Sequence, residues 1–253
     1  MIQVDALIIG AGPIGGYLAK KLCQAGHTVL MIEEHNQIGR PFQCAGLVNP
    51  GSMEKVGLES TALTRIWGAR IHGPGGTLVE IGSPERTRTW SVCRKLFDEA
   101  VVAQAISAGG SLMLNSTPKG TSISDEYVVT TISTDNTELT VKSKVVLGCD
   151  GAHSWVRRYH RMGRVRETMI GFQIDVTGYL HKEGKLDMYT GQQIAPGFFA
   201  WAIPTGTTTR IGTFSRPDLL GGKSSEETLA ELLNHKLWKD RFEGCSEVGR
   251  SVS

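Results

Sequence analysis

The sequence predicts an α/β fold in two parts: a parallel sheet of the nucleotide-binding type with an inserted antiparallel meander, and a second, mainly antiparallel sheet. Three observations predict it. VDALIIGAGPIGGYLAKKL, residues 4–22, joins a short apolar run to three glycines spaced G-x-G-x-x-G and then to apolar residues at helical spacing. SKVVLGCDGAHSWVRR, residues 143–158, repeats the order of buried strand, glycine turn and short helix. Between and beyond these segments lie alternating pieces broken by turn residues, the signature of antiparallel strands.

Residues 4–9, apolar apart from Asp5 and half β-branched, read as a short parallel strand buried on both faces. Residues 13–25 follow as a helix, with Pro13 at its first position and Gly26 as its stop. Residues 28–32 form a second strand ending in Glu33-Glu34, and the stretch HNQIGRPFQCAGLVNPG that follows is irregular. A helix starts at Arg94 with Phe97, Val101 and Ala105 on one face, stops at Gly109-Gly110, and gives way to a strand at 111–115. Residues 121–141 read as the meander, turning at Asp135-Asn136. Near the end, 224–244 reads as a helix opened by a Ser224/Glu227 capping box, and EVGRSVS as an interrupted strand.

Each part of the opening motif has a physical task. Gly10 makes the tight turn, Gly12 lets backbone N–H groups approach a pyrophosphate, and Gly15 lets helix and strand pack closely. Ile14 lies in the first turn, where the helix N-terminus supplies positive potential. An acid about 20 residues past the glycines accepts hydrogen bonds from a ribose 2′-hydroxyl and disfavours a 2′-phosphate. Glu33, directly at the strand end, is the choice over Glu34. The plain alternative is a glycine-rich turn without a ligand, and at this point the residues leave FAD and NAD both open.

The rest of the chain favours flavin. GCDGAHSWVR resembles the second flavin motif of the para-hydroxybenzoate hydroxylase group, with Asp150 and Gly151 on the pyrophosphate and ribose side of FAD. CAGLV at 44–48 and PGFFAWAIP at 196–204 resemble the geranylgeranyl reductase family, whose signature is P-x-x-Y-x-W-x-F-P. Pro196, Trp201 and Pro204 match it outright, while Phe199 stands for Tyr and Ile203 for Phe; Gly212 is half of the glycine pair that should follow. IGRPFQCAGL looks like the archaeal branch, whose members saturate the isoprenoid chains of membrane lipids. The resemblance covers nearly the whole chain.

That resemblance implies a Rossmann-like FAD-binding domain at 1–165, discontinuous, and a substrate domain at 166–253. It implies FAD contacts at Cys44, Ala45 and Gly46 beside the flavin ring, at Arg94 on the phosphate or adenosine side, and at Pro118 by the adenine. Cys44 is the candidate proton donor, with gating or space-filling as alternatives. Phe199 and Trp201, two apart in a strand, would share one face and wall an apolar tunnel, with Phe198 on the other face; an ordinary core stripe is the alternative. Implied partners are an isoprenoid lipid and an electron donor, either ferredoxin or a reduced nicotinamide. The family's third flavin motif begins with Gly-Asp, a dipeptide absent from this sequence, so the expectation is the first two-thirds of a longer enzyme. An aromatic-ring hydroxylase of the same fold, or a non-catalytic dinucleotide-binding fragment, are the alternative functions.

The remaining features bound the reading. A net charge of +2 gives no argument for a nucleic-acid partner, and five cysteines without a C-x-x-C pair fit a reduced, cytoplasmic protein. No basic leader precedes the first strand, and residues 6–19 fall short of the roughly 18 apolar residues of a membrane span. The seven histidines lack metal-ligand spacing. Arg157, Arg158, Arg161, Arg164 and Arg166 crowd ten residues without an acid. They read as a solvated helix end, or as a peripheral contact with anionic headgroups.

Overall fold

The computed structural model describes residues 1–135 and 137–252. Asn136, half of the expected turn, lies outside them; its neighbour Asp135 has a φ of 42°. The chain forms two compact units, Met1–Arg40 with Lys95–Arg164 and Pro41–Arg94 with Val165–Ser253.

In chain order, the first stretch carries β1 (Ile2–Ile9), α1 (Pro13–Gln24) and β2 (Val29–Ile32). The second carries β3 (Leu47–Val48), α2 (Pro50–Val56), β4 (Ala62–Ile66), β5 (Gly68–His72), β6 (Leu78–Gly82) and β7 (Thr89–Val92). The third holds α3 (Arg94–Ser107), β8 (Ser111–Met113), β9 (Ser116–Ile123), β10 (Val128–Thr134), β11 (Thr137–Gly148) and α4 (Trp155–Tyr159). The last holds β12 (Ile170–Thr177), β13 (Lys185–Tyr189), β14 (Ala200–Pro204), β15 (Thr209–Ser215), α5 (Ser225–Leu233) and β16 (Ser246–Val252).

The first unit is a six-stranded sheet in the order β8-β2-β1-β11-β10-β9. β1 runs parallel to both β2 and β11, while β9, β10 and β11 form the antiparallel meander. Alternation along β1 sends Ala6 and Ile8 to a core with Ala19, Val102 and Ala105. Leu7 and Ile9 turn to the opposite core, with Ile132, Val141 and Val156. Pro118 pairs with Ile132 on the edge strand β9, where the register slips, as suits a residue without an N–H. The expected strand at 111–115 ends at Met113, because Asn115 adopts a left-handed φ of 49°.

The second unit is a seven-stranded mixed sheet, β16-β12-β15-β14-β13-β5-β6, with a three-stranded sheet β3-β7-β4. Residues 41–94 were expected in the first domain. In the structure they pack in this unit, because β5 pairs parallel with β13 and cannot be separated from it. α5 keeps its capping box, Ser224 and Glu227 satisfying each other's backbone N–H groups. The expected helix stops at Leu233, however, where Asn234 turns the chain, and only a 3₁₀ turn at Lys239–Arg241 follows.

Candidate functional site

The glycine motif sits at the C-terminal end of β1, where open α/β sheets bind ligands. Its three glycines are needed for different reasons. Gly10 has a φ of 97°, and a Cβ there would lie 2.5 Å from the Cys149 carbonyl oxygen, so the first motif and the Cys149–Asp150 segment pack backbone to backbone. A Cβ on Gly15 would collide with the Gly10 carbonyl oxygen. Gly12 is the exception: a Cβ there meets nothing within 4 Å. It is the N-cap of α1, with no side-chain cap, so a helix N-terminus faces open space across a residue without a side chain. That cradle fits a pyrophosphate.

Glu33 is aimed at this loop. Its Oε2 accepts a hydrogen bond from the Ala11 N–H at 3.0 Å, and Oε1 lies 2.6 Å from His35 Nδ1. The Glu33 side chain is 14% exposed against 68% for Glu34, so the two neighbouring acids are not equivalent. The Glu33 carbonyl accepts from Ser116 N–H, which draws the start of β9, and with it the Pro118 strand, to the end of β2. Asp150 accepts from the Val156 N–H at 3.0 Å and so fixes the start of α4, while Gly151 takes a φ of 71°. Ile14 is exposed, and Arg94 opens α3. Gly10, Gly12, Gly15, Glu33, Asp150 and Gly151 therefore belong to one region of the first unit.

In the second unit the structure brings together segments far apart in sequence. Ala45 and Phe199 pack against a cluster of Ile66, Ala69, Leu186, Trp201 and Ile203. Trp201 is 4% exposed, its ring lies against Gly212, and a Cβ on that glycine would sit 2.6 Å from it. The indole Nε1 is buried without an acceptor. β14 starts only at Ala200, since Gly197, with a φ of 80°, turns the chain after Pro196. Phe198 and Phe199 thus precede the strand, and strand alternation does not govern them. Instead of facing opposite sides, their rings stack at 4.4 Å.

Sequence reasoning missed Arg210. This buried guanidinium pairs with Asp175, Nε to Oδ1 at 2.9 Å, and Nη1 donates to the Ala45 carbonyl at 3.0 Å. It also lies over the Phe42 ring at 4.3 Å. Gln173 Nε2 donates to the Cys44 carbonyl at 3.4 Å, and the Gly46 N–H reaches Cys44 Sγ at 3.5 Å. Gly46, with a φ of 80°, leaves no room for a Cβ beside the Val92 carbonyl. Residues 42–46 are therefore clamped on the sheet face that carries Trp201.

The other face of that sheet holds a second missed constellation. Asp187, fully buried, accepts from Arg70 Nη2 at 2.7 Å and Tyr179 OH at 2.9 Å, and lies 2.6 Å from His72 Nε2. Arg241 reaches both Asp187 and the paired Tyr179 and Tyr189 hydroxyls. Although burial opposes ionisation, the hydrogen bonds from His72 and Arg70 hold the Asp187 carboxyl below its ordinary range. Nearby, burial lowers His181 to about 4, with its Nε2 on Thr209 Oγ1 at 2.6 Å and its Nδ1 unpartnered.

The FAD binding domain family matches residues 3–210. A digeranylgeranylglycerophospholipid reductase of Methanosarcina acetivorans is 32% identical over 213 residues, covering 80% of this chain and 52% of the relative. One from Methanocaldococcus jannaschii is 26% identical, covering 96% and 63%. The chain thus spans between half and two-thirds of these relatives' length. Among solved structures, a geranylgeranyl bacteriochlorophyll reductase-like protein of Thermoplasma acidophilum superposes with a TM-score of 0.86 at 23% identity, over 100% of this chain and 66% of that one. A flavin-dependent brominase gives 0.80 at 20% identity, over 99% and 67%. These two likenesses concern the fold. No described helix is long and apolar enough to cross a membrane.

Proposed function

The chain belongs to the FAD binding domain family, with FAD as its cofactor, and from that premise we propose that it is an FAD-dependent reductase of carbon–carbon double bonds in the geranylgeranyl chains of membrane lipids. The observation that carries the reading is the common cluster of Ala45, Phe199 and Trp201. It unites the two segments through which the resemblance to geranylgeranyl reductases runs, although they are separated by some 150 residues of chain. The reductase names of the relatives at 32% and 26% identity support the same substrate class.

When bound and reduced, FAD supplies a hydride for one alkene carbon. An isolated alkene is a poor hydride acceptor, so the protein's share is alignment and exclusion of water. Gly10, Gly12, Ile14 and Gly15 receive the pyrophosphate, Glu33 the ribose, and Pro118 the adenine. Arg94, Asp150 and Gly151 complete the phosphate and ribose contacts. Cys44, Ala45 and Gly46 are the proposed ring-side contacts, the Cys44 thiol holding the proton for the second alkene carbon. Phe199, just before β14, and Trp201, within it, present the isoprenoid with an apolar wall on the segment that runs from Pro196 to Pro204. Ferredoxin or a reduced nicotinamide delivers the electrons, and the protein meets its lipid as a peripheral, cytoplasmic enzyme.

The test is direct. The purified protein, loaded with FAD and reduced with dithionite, is incubated with a phospholipid bearing geranylgeranyl chains, and the lipid is weighed by mass spectrometry. A gain of two hydrogens per double bond is expected. Unchanged lipid beside fully bound, reduced FAD rejects the reading, and oxygen-dependent hydroxylation of an aromatic ring under the same loading would replace it.

A further inference from the structure

We propose that the end of α4 and the turn that follows it, residues 158–164, form a docking surface for bilayers carrying anionic headgroups. The turn is built to hold its shape. Ser154 caps the Arg157 N–H at the helix start, Met162 N–H bonds the Arg157 carbonyl at 2.9 Å, and Arg157 Nη1 donates to the Gly163 carbonyl at 3.2 Å. Trp155 stacks on Tyr159 at 4.4 Å beneath it. At its apex Arg161 takes a φ of 53°, the left-handed conformation that helix ends ordinarily give to glycine. A guanidinium is thus kept at a position where the backbone favours no side chain.

What the turn presents is one kind of chemistry. Arg158, Arg161 and Arg164 are all exposed, and none forms an ion pair among the described residues. No acid occurs between Gly151 and Arg166. Favourable interaction with the helix dipole accounts for a cation in the last turn of α4, but Arg161 and Arg164 lie past it. Between them Met162 stands 69% exposed, and Tyr159 beside them 45%. Acidic groups alone would satisfy the charges, but Met162 in their midst also calls for an apolar layer. A headgroup layer takes both, phosphates against the guanidinium groups and the thioether into the acyl boundary. The inference extends the lipid-reductase reading by giving its substrate a surface of origin, and it needs no turnover to test.

Co-sedimentation with vesicles of phosphatidylcholine alone, and of phosphatidylcholine mixed with phosphatidylglycerol, tests it. The FAD-loaded protein is expected to bind the mixed vesicles, less at high salt, and to leave the neutral ones in the supernatant. Each arginine removed should weaken binding about fivefold, so R158Q/R161Q/R164Q should lose on the order of 100-fold, with FAD content and melting temperature unchanged. Arg161→Gly, whose backbone suits the left-handed φ, removes one charge without strain and should lose about fivefold. Met162→Ser should weaken binding further at salt concentrations that screen the charges. Equal binding of the parent protein to both vesicle types, or undiminished binding of the triple variant, overturns the proposal. If the triple variant keeps vesicle binding but loses reduction by an acidic electron-carrier protein, the surface belongs to that partner instead.

Discussion

Gly12→Val separates the cofactor's requirement for a glycine from the fold's requirement. The φ and ψ at Gly12, −74° and −173°, are extended backbone that a β-branched residue adopts readily, and an added Cβ meets nothing within 4 Å. Valine forfeits glycine's modest N-cap preference, roughly 0.5–1 kcal/mol. It gains a similar amount, about 0.4–1 kcal/mol, by restricting the unfolded chain. The net effect on stability should stay within about 1 kcal/mol, or roughly 2–4 °C of melting temperature for a chain of this size. Binding should respond very differently. The new methyl groups project into the space before the helix N-terminus and hold a pyrophosphate away from its N–H groups. Losing two charge-assisted hydrogen bonds at about 1.5–3 kcal/mol each weakens the complex by roughly two to four decades in Kd. Thermal melts of the apoprotein and FAD titrations followed by flavin fluorescence measure the two quantities separately. Gly15→Val is the control: its Cβ runs into the Gly10 carbonyl, so it should lose stability first and FAD only as a consequence. A folded Gly12→Val protein that keeps parental affinity refutes the assignment of the cradle.

Further expectations follow from the same geometry. Glu33→Gln should weaken FAD binding by about 1–3 kcal/mol in the same titration, and an equal effect of Glu34→Gln would show that the wrong acid was chosen. Trp201→Ala should cost about 3–5 kcal/mol of stability, whereas Trp201→Phe should cost under about 1.5 kcal/mol because the indole N–H it removes is unpaired. In the folded Phe variant, reduced prenyl turnover with FAD retained supports the substrate wall, and full turnover makes Trp201 plain core. Arg210→Met should destabilise by about 2–4 kcal/mol, near the lower end of the range for a broken buried pair, since Asp175 keeps some contact with water; Arg210→Met/Asp175→Leu should recover part of the loss in denaturant melts. His181 is held at about 4 in the folded chain against 6.5 as its ordinary value. The unfolded chain therefore binds the extra proton between those values, and stability should fall by roughly 2–3 kcal/mol as pH drops from 6.5 to 4. His181→Gln should flatten that part of the profile, and an unchanged slope would assign it to another group.

What the sequence made legible was local. The strand, glycines, helix and acid of residues 4–33 are joined by short-range rules, and their order and placement can be read from spacing alone. The Arg210 clamp was not legible, because its partners lie 35 and 165 residues away and meet only through sheet register. For the Asp187 constellation on the opposite face a signal was present in KLDMY, where Lys185, Asp187 and Tyr189 alternate with Leu186 and Met188. A strand that is buried yet strictly alternating has a polar core on one face, and such a face must be fully hydrogen-bonded. The placement of residues 41–94 was hidden for a similar reason: a parallel pairing of β5 with β13 leaves no turn or spacing to mark it.

The position of β1 has a further consequence for how the protein is made. One of its two neighbours, β2, follows within 30 residues, but the other, β11, starts at Thr137. At about 5–20 residues per second of synthesis, β1 waits on the order of 10 s for the strand that covers its second edge. Through that interval the growing chain exposes ALII, an apolar, β-prone run with an unpaired ladder of backbone groups, the kind of segment that seeds aggregation. The closure that ends the wait spans most of the first 150 residues, which places this sheet among slow folders by contact order. Yield from a recombinant host should accordingly depend on translation rate and holdase chaperones more than on the stability of the finished fold.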